Sequence, residues 1–388
     1  MKKAMISGKF IILIVLIILN SMFSCGCWNY NDIEKSLLVT GFAIDKNEQK
    51  GKYQLTMEIL DFEISGKEAK QDTKFVESEG KTIFDAIRNA ISIVGKKIYW
   101  PHADICIISE QIAKEGLIPV LDFIYRDSEL RTELYILISK EKTAREVLLQ
   151  EKLLARSSSD NIYEMLQNQK VEGKYPSIFM YRLIGYISSG DAILPSIELK
   201  EVLGKKTASL AGTAIFKSDK LVGYINEAES QALLFAIDLV KGGIITVDED
   251  LTNTSEVSLE IFKSKTKIKP RYINDKLTMD IDIKLEVSIA EEASYTNYIN
   301  GKNFLKLKKD AEGKIKSSIE NLIQKVQLEY DADIFSFGLK IKRDLPKVWR
   351  KIENDWNNKY KNLNSNVKVS INIRNSAIVK KQITKKQV

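Results

Sequence analysis

Histidine and cysteine are scarce in this sequence, which limits the chemistry available to the chain. The 388 residues include one histidine, His102, and three cysteines, of which Cys25 and Cys27 follow an N-terminal apolar run. The rest of the chain keeps a single thiol, Cys106, so a disulfide framework is excluded. Cys106 lies in the apolar segment ADICIISE, and we expect it to be buried and inert. Because zinc sites combine several His and Cys ligands, we expect no metal.

Motifs of the common enzyme classes are also missing. The sequence has no G-x-S-x-G, no C-x-x-C and no glycine-rich phosphate-binding loop. The segment SSSD at 157–160 offers a hydroxyl and an acid, but such segments more commonly form loops or helix caps. Asp331 and Asp333 follow a predicted helix, where we expect them to cap or to face solvent, and we expect His102 to stabilise a turn. We therefore predict no catalytic residue, and hence no enzyme.

Positive charge is in modest excess. The net charge is +7, and three of the positive charges, Lys2, Lys3 and Lys9, precede the apolar run. The remaining +4 is spread along the chain, which is too diffuse to predict nucleic-acid binding. Weak attraction to an anionic membrane surface is compatible with this charge.

The N-terminus has the anatomy of a signal peptide. The ten apolar residues at 10–19 follow the basic residues, and they are fewer than the ~20 that a spanning helix needs. Polar and small residues and then Cys25 and Cys27 come next, an order that resembles a bacterial lipoprotein signal. The alternative is an uncleaved N-terminal anchor. Under both interpretations the body is tethered to a membrane outside the cytoplasm.

The body alternates between strand and helix patterns. Thr82 and Asp85 are spaced as a capping box, and apolar residues then recur at helical spacing up to Gly95. We predict strands in a hairpin over 37–60 and over 103–109, 132–139, 276–292 and 366–379, and a turn followed by an extended strand over 188–199. We predict helices over 82–95, over 110–127 with an interruption near Gly116 and Pro119, from 143, from Asn226, over 302–330 and over 344–360.

These patterns predict an α+β protein with several domains, in which mixed or antiparallel sheets pack with helices. Residues 1–26 form the signal peptide, 27–205 the N-terminal region and 206–388 the C-terminal domain. The N-terminal region divides into two subdomains near 140–150 in one interpretation. The boundary near 205 rests on the polar stretch 151–205, in which ARSSSDN predicts a loop.

One charged segment is a candidate interface. Arg126, Asp127, Glu129 and Arg131 crowd into the junction between a predicted helix and a predicted strand. Arginine pairs well with carboxylates, so a structural lock in which the arginines hold Asp127 or Glu129 is favoured. A patch that binds a partner is the alternative.

The helix predicted over 344–360 has an aromatic side. Trp349 and Trp356 lie near the side defined by Val348 and Ile352, and Pro346 stands near the start. Packing on the core is the favoured interpretation. An interfacial membrane helix is the alternative.

The order of several segments resembles one known family. GCWNYNDIEKSLLVTGFAIDK at 26–46 resembles the mature start of the C subunits of spore germinant receptors, the Ger(x)C lipoproteins. The likeness covers nearly the whole chain in the same order, and it rests on the set of segments rather than on a single motif. The further segments are 77–90, 102–117, 125–139, 212–236, 331–338, 345–356 and 367–379.

The resemblance implies a non-enzymatic lipoprotein of a spore-former, with a three-domain α+β body. It implies a place on the outer face of the inner spore membrane, in a receptor with A-type and B-type membrane subunits that responds to nutrients. A tethered solute-binding lipoprotein is the alternative function.

The same resemblance implies where the lipid is attached. The match of Gly26-Cys27-Trp28 to the mature start of the family favours Cys27 as the residue that carries diacylglycerol, and Cys25 is the alternative. Ser24 departs from the pattern, because lipoprotein signals prefer an aliphatic residue at that position.

Overall fold

The structure of the protein is a computed structural model. It describes residues 36–47, 49–65, 68–151, 157–250, 253–292 and 301–374, together with Phe10, Leu13, Ile14 and Leu16. The side chains at 62–71, 248–256 and 292 are outside the description. Apart from those four residues, the predicted signal peptide lies outside the described residues, as does Cys27.

The described residues contain strands and helices throughout. The strands are β1 (Ser36–Asn47), β2 (Lys52–Ser65), β3 (Glu68–Gly80), β4 (Lys97–Tyr99), β5 (Ile105–Ile108), β6 (Tyr135–Ser139), β7 (Ala192–Val202), β8 (Lys205–Lys217), β9 (Lys220–Ile225), β10 (Ile244–Asp250), β11 (Asn253–Ile273), β12 (Lys276–Glu292) and β13 (Asn364–Arg374). The α-helices are α1 (Ile83–Val94), α2 (Glu110–Glu115), α3 (Ile118–Arg126), α4 (Ala144–Leu148), α5 (Ser158–Gln167), α6 (Gln169–Glu172), α7 (Met180–Ser189), α8 (Glu227–Ala236), α9 (Lys302–Lys325), α10 (Phe337–Asp344), α11 (Pro346–Ile352) and α12 (Trp356–Lys361). A π-helical turn (Val326–Tyr330) follows α9, and a 3-10 turn (Glu353–Asp355) precedes α12.

The larger sheet has a parallel centre and antiparallel flanks. Within the described residues nine strands form it, in the order β3-β2-β1-β5-β6-β7-β8-β9, and β4 pairs with the start of β1. The strands β1, β5, β6 and β7 run parallel, whereas β2 and β3 on one side and β8 and β9 on the other pair antiparallel. Parallel neighbours need crossover connections, and the helices between these strands supply them.

Alternate residues of the central strands enter two different cores. In β1, Phe42 and Ile44 point into the larger core, whereas Ala43 points into the smaller one. Because successive side chains of a strand face opposite ways, both faces of this sheet are covered. Helices α4 and α5 cover the smaller core, and the larger core continues to the second sheet and α9.

The second sheet is a meander closed by a parallel strand. Its order among the described residues is β10-β11-β12-β13, in which β13 pairs parallel to β12. One face of α9 packs on this unit through six buried side chains: Leu307, Ala311, Ile315, Ile319, Leu322 and Ile323. The other face of the sheet is polar.

Most predicted elements are confirmed. The helix predicted over 82–95 is α1, and Thr82 Oγ1 accepts the Asp85 N–H at 3.1 Å as the spacing predicted. The reciprocal bond differs, because the Asp85 carboxylate accepts from the N–H of Lys81. Cys106 is fully buried, and burial raises the pKa of its thiol. The α+β class with mixed sheets is also confirmed.

Two local predictions are wrong. The loop predicted at ARSSSDN ends early, because α5 begins at Ser158. The single helix predicted over 344–360 is broken into α11, a 3-10 turn and α12. The domain boundary near 205 stays a prediction, and β7 and β8 on either side of it pair in one sheet.

Candidate interaction site

The predicted charged segment lies at the turn between α3 and β6. Asp127 ends α3, and its Oδ1 accepts the N–H of Glu129 at 2.8 Å. The carboxylate of Asp127 therefore shapes the turn itself, in the manner of an Asx turn. Leu130 is buried inside the turn, so the charged side chains on both sides of it point outward.

The predicted pairing within this charged junction is wrong. Arg126 Nε lies 2.8 Å from Asp122 Oδ2, one helical turn earlier in α3. Arg131 Nη2 lies 2.8 Å from Asp104 Oδ1, just before β5. Both arginines of the charged junction (Arg126, Asp127, Glu129 and Arg131) thus pair with carboxylates outside it, one in the preceding turn of α3 and one just before β5.

The remaining carboxylate of the charged junction also reaches another strand. Glu129 Oε1 lies 2.7 Å from Lys97 Nζ at the start of β4. Burial raises the pKa of Asp104, and the charges of Arg131 and His102 act against that rise. The ion pair of Arg131 therefore favours the ionised form of this partly buried carboxylate. The charged junction fixes the turn to β4 and to the start of β5.

An apolar groove lies beside the charged junction. Its volume is about 430 Å³, and α1 and α3 form most of its walls. We call this the α1–α3 groove; its lining residues are Tyr53, Thr82, Ile83, Phe84, Pro119, Asp122, Phe123, Arg126 and Asp127. Aromatic side chains next to an arginine are the composition that protein interfaces favour.

Phe84 is an exposed aromatic residue of the groove. It is 47% exposed, and Arg88 Cζ lies 4.8 Å from the centre of its ring. The groove is absent from the predictions above, although the sequence carries a signal for it. Phe84 follows Ile83, the first residue of the buried face of α1, and therefore stands on the polar side of an amphipathic helix.

The segment SSSD serves as a helix cap. Ser157 Oγ accepts the N–H of Asp160 at 3.1 Å, so of the two expected roles, loop and helix cap, the cap is confirmed. The same hydroxyl donates to the buried carboxylate of Glu58 at 3.0 Å. A Cβ at Gly41 would lie 2.2 Å from Ser159 Oγ, so the close approach of β1 to α5 requires glycine there.

Asp331 and Asp333 have different roles. The carboxylate of Asp333 accepts the N–H groups of Phe337 at 2.9 Å and Gly338 at 2.7 Å, so it caps α10. Burial raises its pKa to about 7, and nearby Asp191 acts in the same direction. Asp331 instead forms ion pairs with Lys217 at 2.5 Å and Lys361 at 3.3 Å.

His102 is an exposed residue of the turn before β5. Its ring centre lies 6.1 Å from that of Tyr99. In the part of the chain that the structure describes, no three Cys, His, Asp or Glu side chains converge in a way that would hold a metal ion. Within the same described ranges, no helix combines the length and apolarity needed to span a membrane.

Two family models match this sequence one after the other. Residues 29–199 match the model described as "Spore germination protein N-terminal domain". Residues 211–377 match the model described as "Spore germination B3/ GerAC like, C-terminal". Together the models define a spore germination protein. The chain belongs to the family of GerAC- and GerBC-like C subunits of spore germination proteins.

Curated relatives and one solved structure agree with the models. Spore germination protein B3 of Bacillus subtilis (strain 168) is 27% identical over 365 residues, which cover 92% of this chain and 96% of that protein. Spore germination protein KC of the same strain is 23% identical and covers 90% and 91%, respectively. The crystal structure of the GerBC protein aligns with a TM-score of 0.58 at 22% identity, covering 86% of this chain and 97% of that one. This structural likeness confirms the fold.

Proposed function

We propose that this protein is a non-enzymatic C subunit that assembles with an A-type and a B-type membrane subunit in a nutrient-responsive germinant receptor. Membership of the C-subunit family over both halves of the chain carries this proposal. The site chemistry supports it, because Ser157 and Asp333 cap helices rather than face a reactive partner.

The proposed function includes a lipid anchor. Cys27, or else Cys25, would carry diacylglycerol after removal of the signal peptide. The body would then lie on the outer face of the inner spore membrane. The ten-residue apolar run and the two cysteines behind it support this location.

We further propose that the α1–α3 groove and the charged junction form one docking surface for a membrane subunit. The groove supplies apolar area at its centre, and Arg126 and Asp127 supply a charged rim. This arrangement resembles the anatomy of protein interfaces, in which buried aromatic anchors contribute most of the affinity.

Co-purification of the receptor subunits tests this surface. Phe84→Lys places a charge in the groove, and we expect it to abolish capture of the membrane subunits without loss of folding, since Phe84 is half exposed. Ile93→Lys is the matched control, because Ile93 is 66% exposed on the same helix but does not line the groove.

The two variants separate the possible results. Loss of capture in Phe84→Lys alone supports the docking surface. Equal capture in both variants assigns docking elsewhere on the body. No capture by the unmodified protein, when all three subunits are present in membranes, would contradict the proposed function itself.

A further inference from the structure

Strand β11 carries five basic residues on one face. Lys263, Lys265, Lys267, Lys269 and Arg271 occupy every second position, and all five are exposed. Successive side chains of a strand face opposite ways, so these five share the face that α9 does not cover. This alternation concentrates positive charge that the net charge alone predicts to be diffuse.

Two helices extend the positive charge beyond the sheet. A groove of about 630 Å³ is lined both by lysines of β11 and by Lys340 and Arg343 of α10. The next helix, α11, adds three further exposed cations. We call the set the basic surface; it comprises Lys265, Lys267, Lys269, Lys340, Arg343, Lys347, Arg350 and Lys351.

Carboxylates neutralise the basic surface only in part. Asp238 lies 2.5 Å from Lys265, and Asp344 lies 2.7 Å from Arg343. The other six cations form no ion pair among the described residues, although Asp282 and Asp280 of β12 stand opposite Lys267 and Lys269, and Asp280 pairs with Arg271 instead. The hydrogen bond and charge of Arg343, and the charges of Lys340 and Lys269, lower the pKa of Asp344. The cations are therefore available to an external anionic surface.

The folded core does not need the charges on α11. This helix, which the structure describes throughout, buries none of its side chains. Trp349 is half buried and packs against the core, with its ring centre 5.4 Å from that of Trp356. The core-packing interpretation of the tryptophans is thus supported, while the cations of the same helix face outward.

The basic surface lies near the edge of the larger sheet at which the chain enters. Strands β1 and β7 both belong to the parallel centre of the larger sheet. Their first residues, Ser36 and Ala192, therefore lie at the same edge of that sheet. Asp191, directly before β7, lines the same groove of about 630 Å³ as the lysines of β11. Residues 28–35 separate Cys27 from β1, and eight extended residues span at most ~28 Å. An anchor at Cys27 would keep this edge close to the bilayer.

We propose that the basic surface docks on an anionic lipid surface and fixes the orientation of the body on the membrane. This inference rests on the lipid anchor of the proposed function. Lysine is depleted at protein interfaces, whereas six of the eight cations of the basic surface are lysines, a composition that favours lipid headgroups. Each basic residue near an anionic leaflet strengthens binding about fivefold.

Lysine footprinting on vesicles tests the docking. The full-length lipoprotein is reconstituted in phosphatidylcholine vesicles with and without ~30% phosphatidylglycerol, a fraction chosen to give a negative surface potential. Mass spectrometry then compares acylation rates. We expect Lys267 and Lys269 to react severalfold more slowly on the anionic vesicles. Lys205 and Lys206, exposed at the opposite edge of the larger sheet, should react equally on both.

Salt and charge reversal sharpen the test. Raising the ionic strength from 0.1 M to 1 M shortens the screening length from about 10 Å to about 3 Å, and the protection should disappear. Lys347→Glu with Lys351→Glu should also remove the protection at Lys267. The control Lys205→Glu with Lys206→Glu changes the net charge equally and should leave it intact. Circular dichroism verifies that both double variants are folded.

Other results would overturn the inference in distinguishable ways. Equal reactivity of Lys267 on both vesicle types, with the protein retained on both, would refute lipid docking and leave the anchor intact. Protection that requires co-reconstituted membrane subunits, whatever the lipid, would assign the surface to a protein. Loss of the protein from all vesicles would refute the anchor and this inference together.

Discussion

The fully buried carboxylate of Glu58 accepts the backbone N–H of Ser159 at 2.7 Å. It also accepts the N–H of Ser158 at 2.9 Å and the hydroxyl of Ser157 at 3.0 Å. These donors form the N-terminus of α5, where free N–H groups and the helix dipole stabilise negative charge. The contact joins β2 to a helix that begins 100 residues later.

The first prediction concerns this contact. Glu58→Gln replaces one acceptor oxygen by an NH2 group that faces a backbone N–H. We expect a loss of about 2–3 kcal/mol in the free energy of unfolding, because hydrogen bonds to a buried charge are strong. Urea denaturation measures it. Glu201→Gln, at an exposed position of β7, is the control and should change little. An unchanged midpoint for Glu58→Gln would contradict the role of the contact.

The fold was predictable where local patterns determine it. The buried face of α1 and the capping box of α8, in which Asn226 and Glu229 bond reciprocally, follow from spacing alone. The parallel pairing of β1 with β5 was not predictable, because it depends on long-range contacts that no local period records. For the same reason the first residues of α5 were predicted to be a loop, since Glu58, which binds the start of this helix, lies far away in the sequence.

The site was predictable only in part. The sequence identified the charged junction, but it could not identify Asp122 and Asp104 as the partners of its arginines. The α1–α3 groove arises because two helices meet, so neither helix shows it alone. The basic surface combines a strand stripe with α10 and α11, and only the stripe shows as a pattern in the sequence.

The second prediction concerns the pH dependence of stability. The pKa of Asp333 is raised to about 7 in the folded protein, against about 3.9 for an ordinary aspartate. The folded state therefore binds this proton more tightly than the unfolded state does. The stabilisation is fully present below pH ~4 and is lost as the pH rises through about 7. Thermal melting between pH 4 and pH 8 measures the decline.

A variant isolates this group from its neighbours. Asp333→Asn cannot titrate, so its melting temperature should fall less between pH 5 and pH 8 than that of the unmodified protein. Burial also raises the pKa of Asp191, so part of the decline should remain in the variant. Identical slopes for the two proteins would show that Asp333 does not couple to folding.

The third prediction distinguishes the two arginines of the charged junction. Arg131→Glu leaves Asp104 without its cation and adds a like charge, so we expect about 1 kcal/mol of destabilisation. Arg126→Glu breaks only a solvent-exposed pair within α3, so it should destabilise the protein less than Arg131→Glu does. Differential scanning calorimetry compares the two variants. A larger cost for Arg126→Glu would reverse this assignment.

The last prediction concerns the anchoring sulphur. We expect mass spectrometry of the mature N-terminal peptide to find diacylglycerol on Cys27, and Cys27→Ala to release the body from membranes. Two acyl chains give stable attachment, since each buried methylene contributes about 0.8 kcal/mol, and Trp28 would then lie at the headgroup level. Cys25→Ala is the matched control and should stay bound. A lipidated peptide that begins at Cys25 would exchange the roles of the two cysteines, and an unmodified terminus that still carries residues 1–24 would refute the lipoprotein interpretation.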